Sequence, residues 1–231
     1  MASDKNKNQD RNVVENLNTH LTTVGEKVAN NKKIIFIGIG IVAVVAAFVL
    51  SYLFIFKNPR TNNSWKAYDF VYMQQQKQML AGDTAVAKAY EKVANQFSST
   101  DAGNIAKLSA AQAFYDAKNY DAAIKYLNKF DISEPQLKIA AKILLGDCYV
   151  NKKNYKEALS AYDNALGMAD NNTEIAPYIL FKEATVYDAQ KKYGQAIECY
   201  EKIKNEYPDY VSPGQLSMDY YIEREKALAG K

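Results

Sequence analysis

Apolar residues are arranged in two ways along this chain. Ile34 to Phe56 pass 23 consecutive positions without a charge, and beyond them apolar residues return only at the spaced positions of amphipathic helices. The unbroken run predicts one membrane-spanning helix. At 1.5 Å rise per residue its 23 residues cover about 34 Å, slightly more than the roughly 30 Å hydrocarbon core of a bilayer. A cleaved leader fits poorly, because its apolar region runs about 7–15 residues and closes on small side chains. Here 33 mostly polar residues come first, and the run ends Ser51-Tyr52-Leu53-Phe54-Ile55-Phe56. Lys27, Lys32 and Lys33 on one flank nearly balance Lys57, Arg60 and Lys66 on the other. Because large domains translocate largely regardless of charge, the lysines beside the short tail decide, and the N-terminus is expected in the cytoplasm.

Within the tail, Val14, Leu17, Leu21, Val24 and Val28 recur at spacings of three and four, the stripe of a short amphipathic helix weakened by Gly25. Such a helix suits a membrane surface or a partner helix. Inside the apolar run Gly40, Ala43, Ala47 and Ser51 share one helical face, a small-residue ridge of the kind that lets helices approach closely in lipid. Pro59 then predicts the end of the helix and a short linker.

The remaining sequence repeats itself by position. Ala111, Gly146 and Ala184 are each followed after three residues by an aromatic (Phe114, Tyr149, Tyr187) and after nine by a tyrosine in a polar turn (Tyr120, Tyr155, Tyr193). After twelve comes a second small residue (Ala123, Ala158, Ala196), with Leu127, Tyr162 or Tyr200 four later and Phe130, Ala165 or Ile203 three beyond that. Pro135 and Pro208 close the first and third units. Antiparallel helices approach closely only where small side chains meet, and aromatics one turn away fill the space between neighbours.

These offsets resemble the tetratricopeptide repeat. Leu145-Gly146-x-x-Tyr149 through Ala158-x-x-x-Tyr162 is the cleanest copy; the family's early tryptophan is replaced by Lys107, Lys142 and Leu180, and the second unit lacks the closing proline. A degenerate fourth unit precedes these: Val86-x-x-x-Tyr90-x-x-Val93 echoes Ala196-x-x-x-Tyr200-x-x-Ile203. Its first helix, expected over 64–81, carries Trp65, Tyr68, Tyr72 and Met79 and has Gln74 where the small residue belongs. At the other end, Ser212 and Gln215 around Pro213 read as a capping box that starts a terminal helix, with Glu223, Arg224, Glu225 and Lys226 as its solvated face.

The expected fold is all-α, a single transmembrane helix followed by a tetratricopeptide-type array. The divisions are a tail (1–33), the transmembrane helix (34–56), a linker (57–63), repeats over 64–211 (64–98, 103–135, 138–170 and 176–208) and a capping helix (212–231).

Charge and composition narrow the function. The net charge of +3 is spread without a basic block, so no nucleic-acid surface is indicated. The single histidine, His20, lies in the tail, which removes the commonest metal ligand, and neither a metal nor a cofactor is expected. Cys148 and Cys199 have no CxxC spacing and read as buried free thiols. No nucleophile, base and orienting group recur as a spaced set, so the chain reads as a non-enzyme with no small-molecule substrate.

The resemblance implies a concave surface lined by the first helices. Projected onto this sequence, it comprises Ile105, Leu108, Gln112, Tyr115 and Asp116; Ala140, Ile143, Asp147, Val150 and Asn151; and Tyr178, Phe181, Thr185, Asp188 and Ala189. The lysines and asparagines with which chaperone-binding members hold a C-terminal carboxylate are absent from the matching positions. An apolar segment with some basic residues complements the surface better. Tail, single anchor, tryptophan-bearing helix and degenerate repeats, in that order, resemble the membrane-anchored tetratricopeptide proteins that serve as the ancillary subunit of the bacterial Sec translocon. That resemblance implies an inner-membrane translocation complex and a periplasmic chaperone or client as partners. An envelope-assembly scaffold bound to cell-wall or outer-membrane machinery, and a cytosol-facing import or docking receptor, are the alternatives.

Overall fold

The computed structural model describes residues 32–80, 82–169 and 172–230, with residues 32–41 described by backbone alone. The stripe from Val14 to Val28, and His20, lie outside the described residues. The chain divides after Pro59 into two compact parts, and every regular element among the described residues is helical.

The first part holds α1 (Lys32–Ser51) and a π-helical stretch, Tyr52–Lys57. Val42, Val44, Val45, Phe48, Val49 and Leu50 are each more than half exposed, so the described side chains of α1 present apolar surface on every side. The π-helical hydrogen bond from Asn58 N–H to Leu53 O immediately precedes Pro59. A proline ring collides with the carbonyl four residues back, and widening the turn relieves that clash. The expected linker is corrected accordingly: residues 57–63 are helical, and Pro59 lies at the start of α2 (Asn58–Gln76), directly after the π-helical stretch whose wider turn accommodates it.

The second part is a succession of helical hairpins. Helix α2 is followed by α3 (Asp83–Gln96), then α4 (Asp101–Asp116) with α5 (Tyr120–Leu127), α6 (Pro135–Asn151) with α7 (Tyr155–Ala169), and α8 (Ile175–Ala189) with α9 (Tyr193–Glu206). Helix α10 (Met218–Ala229) closes the array. The repeated small residues lie where paired helices touch: Ala111, Ala123, Ala158, Ala184 and Ala196 are fully buried. A Cβ on Gly146 would stand 2.2 Å from Tyr162 Cε1, so only glycine admits that ring. Thr100 caps α4 by accepting a bond from Gly103 N at 3.1 Å, and Asn119 caps α5 by accepting from Ala122 N at 3.2 Å.

Each first helix ends in the same left-handed turn. Lys118, Lys153 and Lys191 have φ of 58°, 58° and 59°, and the N–H of the next residue reaches back to Phe114, Tyr149 or Tyr187 O. This is the Schellman cap, made with lysine instead of the usual glycine. Gln78 (φ 52°) makes it for α2, with Met79 N bonded to Gln74 O. Matching Gln78 to Lys118 corrects the register of the degenerate unit. The buried residue at the small position is Val71, not Gln74, because the loop before α3 carries three extra residues. Helix α2 also ends at Gln76, which leaves Met79 in an exposed turn.

The C-terminal end differs from expectation as well. Ser212 does not cap a helix; its Oγ accepts from Leu216 N and donates to Leu216 O, closing a Pro213-Gly214 turn, and Ser217 caps α10 five residues later. Helix α10 packs through Tyr221 against Phe181 of α8 and Tyr200 of α9, at ring-centroid separations of 5.1 Å in both cases. Glu225, expected on a solvated face, is 0% exposed and ion-paired to Arg224.

Candidate functional site

Two adjoining regions gather the first-helix residues. The first is a cleft of about 350 Å³ between α2, α4 and α6, lined by Tyr68, Tyr72, Gln75, Gln76, Tyr90, Leu108, Ser109, Gln112, Ala113, Asp116, Ala140 and Leu144. Its walls follow from the local folding. Tyr68 packs on Tyr90 at 5.5 Å between centroids and bonds Ser109 Oγ at 3.1 Å, tying α2 to the first full unit. The Tyr90 hydroxyl donates to Gln75 Oε1 at 2.8 Å, and burial pushes its pKa above the ordinary tyrosine range. Gln112 Nε2 donates to Asp116 Oδ1 at 2.9 Å and so orients the carboxylate.

The second region is a polar ladder across α4, α6 and α8, and it is closed on itself. Asn151 donates to the Tyr115 hydroxyl at 3.2 Å. Asp147 accepts from Lys182 Nζ at 2.8 and 3.1 Å and from the Tyr162 hydroxyl. Lys182 also lies over the Tyr178 ring, 4.9 Å from its centroid. Burial works to lower the Lys182 pKa, but the charge and hydrogen bonds of Asp147 outweigh it and hold the ammonium above its ordinary value. A set of polar groups satisfied in this way stiffens the joint between units and offers few acceptors to a ligand.

The expected groove residues are therefore divided. Leu108 and Gln112, with Asp116 and Ala140, come together in the cleft. Tyr115, Asp147 and Tyr178 belong to the ladder. Ile105 is half-buried on α4, and Ile143 and Val150 are half-buried against the second hydrophobic core. Asp188 is ion-paired to Arg224 of α10 at 3.0 Å. Phe181 is a correction: it is only 9% exposed, covered by Tyr200, Tyr210 and Tyr221, and is core rather than surface. The ridge residues Gly40, Ala43, Ala47 and Ser51 all lie on α1, with Ala43, Ala47 and Ser51 exposed.

Sequence reasoning missed the contribution of α2 to the cleft. Tyr68 and Tyr72 stand one helical turn apart, and that spacing was the available signal. Among the described residues no group of His, Cys, Asp and Glu is placed to hold a metal ion.

Residues 83–165 match the family profile described as anaphase-promoting complex, cyclosome, subunit 3, and residues 178–210 match the tetratricopeptide repeat profile. Among solved structures the chain is similar to the crystal structure of MamA protein, with a TM-score of 0.56 and 19% identity over 75% of this chain and 86% of that one. It is also similar to the nearly identical TPR-like repeats of a Podosopora anserina putative kinesin light chain, with a TM-score of 0.57 and 15% identity over 74% of this chain and 88% of that one. Identities this low speak to the fold alone. No curated protein matches the chain.

Proposed function

Because the chain is a tetratricopeptide-repeat protein, and so a module that binds other proteins, we propose that it is tethered to a bacterial inner membrane by α1. The tail would face the cytoplasm and the repeats the periplasm, and the protein would link a membrane translocation complex to a soluble chaperone or client. The observation that carries the tether is the apolar surface of α1. A helix apolar on every side is accommodated either inside protein or in lipid, and the described side chains from Val42 to Leu50 are exposed rather than packed. Lys27, Lys32 and Lys33 support the orientation. That the Gly40, Ala43, Ala47 and Ser51 ridge and the cleft of the repeats belong to different parts of the chain supports a linking role. The order of parts, which resembles that of the ancillary subunit of the Sec translocon, supports the choice of partners.

The test is alkaline carbonate extraction of membranes from cells producing the full chain, followed by protease treatment of spheroplasts. Retention in the pellet, with the repeats digested in intact spheroplasts, is expected. Release into the soluble fraction would remove the tether. Survival of the repeats until the inner membrane is permeabilised would reverse the orientation.

A further inference from the structure

Three of the residues expected to line the groove are carboxylates, Asp116, Asp147 and Asp188, and their surroundings differ. Asp147 is matched by Lys182 of α8 at 2.8 Å and Asp188 by Arg224 of the closing helix α10 at 3.0 Å. Asp116 has no such partner among the described residues; its near neighbour is the Gln112 amide, and none of the residues lining its cleft is a lysine, arginine or histidine. With Gln112 Nε2 committed to Asp116 Oδ1, Asp116 Oδ2 and Gln112 Oε1 remain as acceptors.

We infer that this cleft is a docking site for a short peptide segment that seats one aliphatic side chain on Leu108 and Leu144 and sets a neighbouring lysine or arginine against Asp116. The inference rests on the interaction-module reading and names the partner chemistry of its surface. A volume of about 350 Å³ has room for one or two side chains, not for a folded domain. The apolar floor gains from burying an aliphatic group. A cation brought to Asp116 supplies the ion pair that Lys182 and Arg224 supply to the other two carboxylates, and the exposed Tyr72 ring at the rim adds cation–π attraction. The Gln75 and Gln76 amides can pair with the backbone of an extended segment. An acidic segment would meet acceptors and a like charge.

The experiment uses the full chain in detergent micelles. Binding is followed by calorimetry and by the fluorescence of Trp65, whose ring meets Tyr68 edge-on at 6.1 Å between centroids. The probes are blocked heptapeptides of sequence Ser-Gly-Leu-Lys-Leu-Gly-Ser, a version with Glu for Lys, and a version with Ser for both Leu. The lysine peptide is expected to bind about tenfold more tightly than the glutamate peptide, and the serine version to bind weakly. Asp116→Asn should bring the first two within about twofold and Asp116→Lys should invert their order, each variant keeping its helix content. Ala140→Trp, at an exposed lining position, should block all of them.

A lysine preference unchanged in Asp116→Asn, or binding unchanged in Ala140→Trp, overturns the inference. So does self-association of the chain that Ala140→Trp abolishes, which would give the cleft to a second copy. If no peptide binds while the chain still captures partners in cells, this inference fails and the interaction reading stands; if neither occurs, both fail.

Discussion

Adding a single methyl group at Gly146 tests the packing between the helices of a repeat. A Cβ there would stand 2.2, 2.5 and 2.8 Å from Cε1, Cδ1 and Cζ of Tyr162. Carbon atoms in contact rest about 3.5–4.0 Å apart, so the ring must retreat by more than about 1 Å. It has little freedom to do so. Tyr162 is 2% exposed, and its hydroxyl donates to Asp147, which Lys182 holds in turn. Alanine gains about 1 kcal/mol over glycine in helix propensity. Overpacking costs about 1–3 kcal/mol, and the hydrogen bond to Asp147 is worth roughly another 1.5–3 if the ring is driven off it. With the ring driven off Asp147, Gly146→Ala should therefore destabilise the repeats by about 1.5–5 kcal/mol, and Gly146→Leu by at least as much. The assay is urea unfolding of residues 62–231, followed by circular dichroism. Tyr162→Leu provides the control: with the ring gone, Gly146→Ala should stabilise by up to about 1 kcal/mol, so the double-mutant cycle shows coupling well above 1 kcal/mol. A neutral or stabilising Gly146→Ala in the wild-type background, or no coupling to Tyr162, would refute the reasoning.

Glu183 is 6% exposed, and burial, followed by the neighbouring Asp163 carboxylate, pushes its pKa up to about 8. Because the unfolded value is about 4.3, the folded state keeps a proton that the unfolded chain releases. The contribution of Glu183 to stability is therefore fully present below about pH 4 and is lost as pH rises towards 8; relative to Glu183→Gln, the wild-type urea midpoint should fall over this range, whereas the same pH dependence in both proteins contradicts the assignment. Burial, then the carboxylates of Asp147 and Glu183 respectively, push the free thiols of Cys148 and Cys199 up to about 12. Cys148 is buried and Cys199, expected to be buried, is half-buried, so Cys148 should resist a thiol-specific disulfide reagent at neutral pH in the folded protein and Cys199 should react slowly, both reacting fast on unfolding; fast native-state reaction of Cys148 would be incompatible with its burial. At the left-handed cap, Lys153→Gly should raise stability by about 0.5–1 kcal/mol, since lysine at φ 58° is strained there and glycine is not. Unfolding data showing a loss would mean that the Lys153 side chain supports the cap.

The repeated helices were legible because close helix packing leaves a positional trace. Ala111, Ala123, Ala158, Ala184 and Ala196 are buried where helices meet, and Gly146 admits a ring that no other residue would. Interactions that span a whole repeat left no local trace. Asp147 is paired by Lys182 35 positions away and Asp188 by Arg224 36 positions away, so both carboxylates read as open groove residues until the helices are stacked. Phe181 was misplaced for the same reason, since its cover comes from Tyr221 on a terminal helix. Ser212, Pro213 and Gln215 satisfied a local capping rule, but Ser212 bonds to Leu216 in a turn. Three extra loop residues before α3 shifted the small position from Gln74 to Val71 and hid the share of α2 in the cleft. Pro59 follows a general helix-stopping rule, which the π-helical stretch Tyr52–Lys57 circumvents.

The linking role is tested most directly by photocrosslinking in living cells, with the photoreactive residue placed at Ala43 or Ala47 on the ridge and at Leu108 or Ala140 in the cleft, and the products identified by mass spectrometry. The account predicts two distinct sets: integral membrane translocation components from the ridge, and a soluble chaperone or client from the cleft. Cell-wall enzymes alone, or the same products from both surfaces, would contradict it.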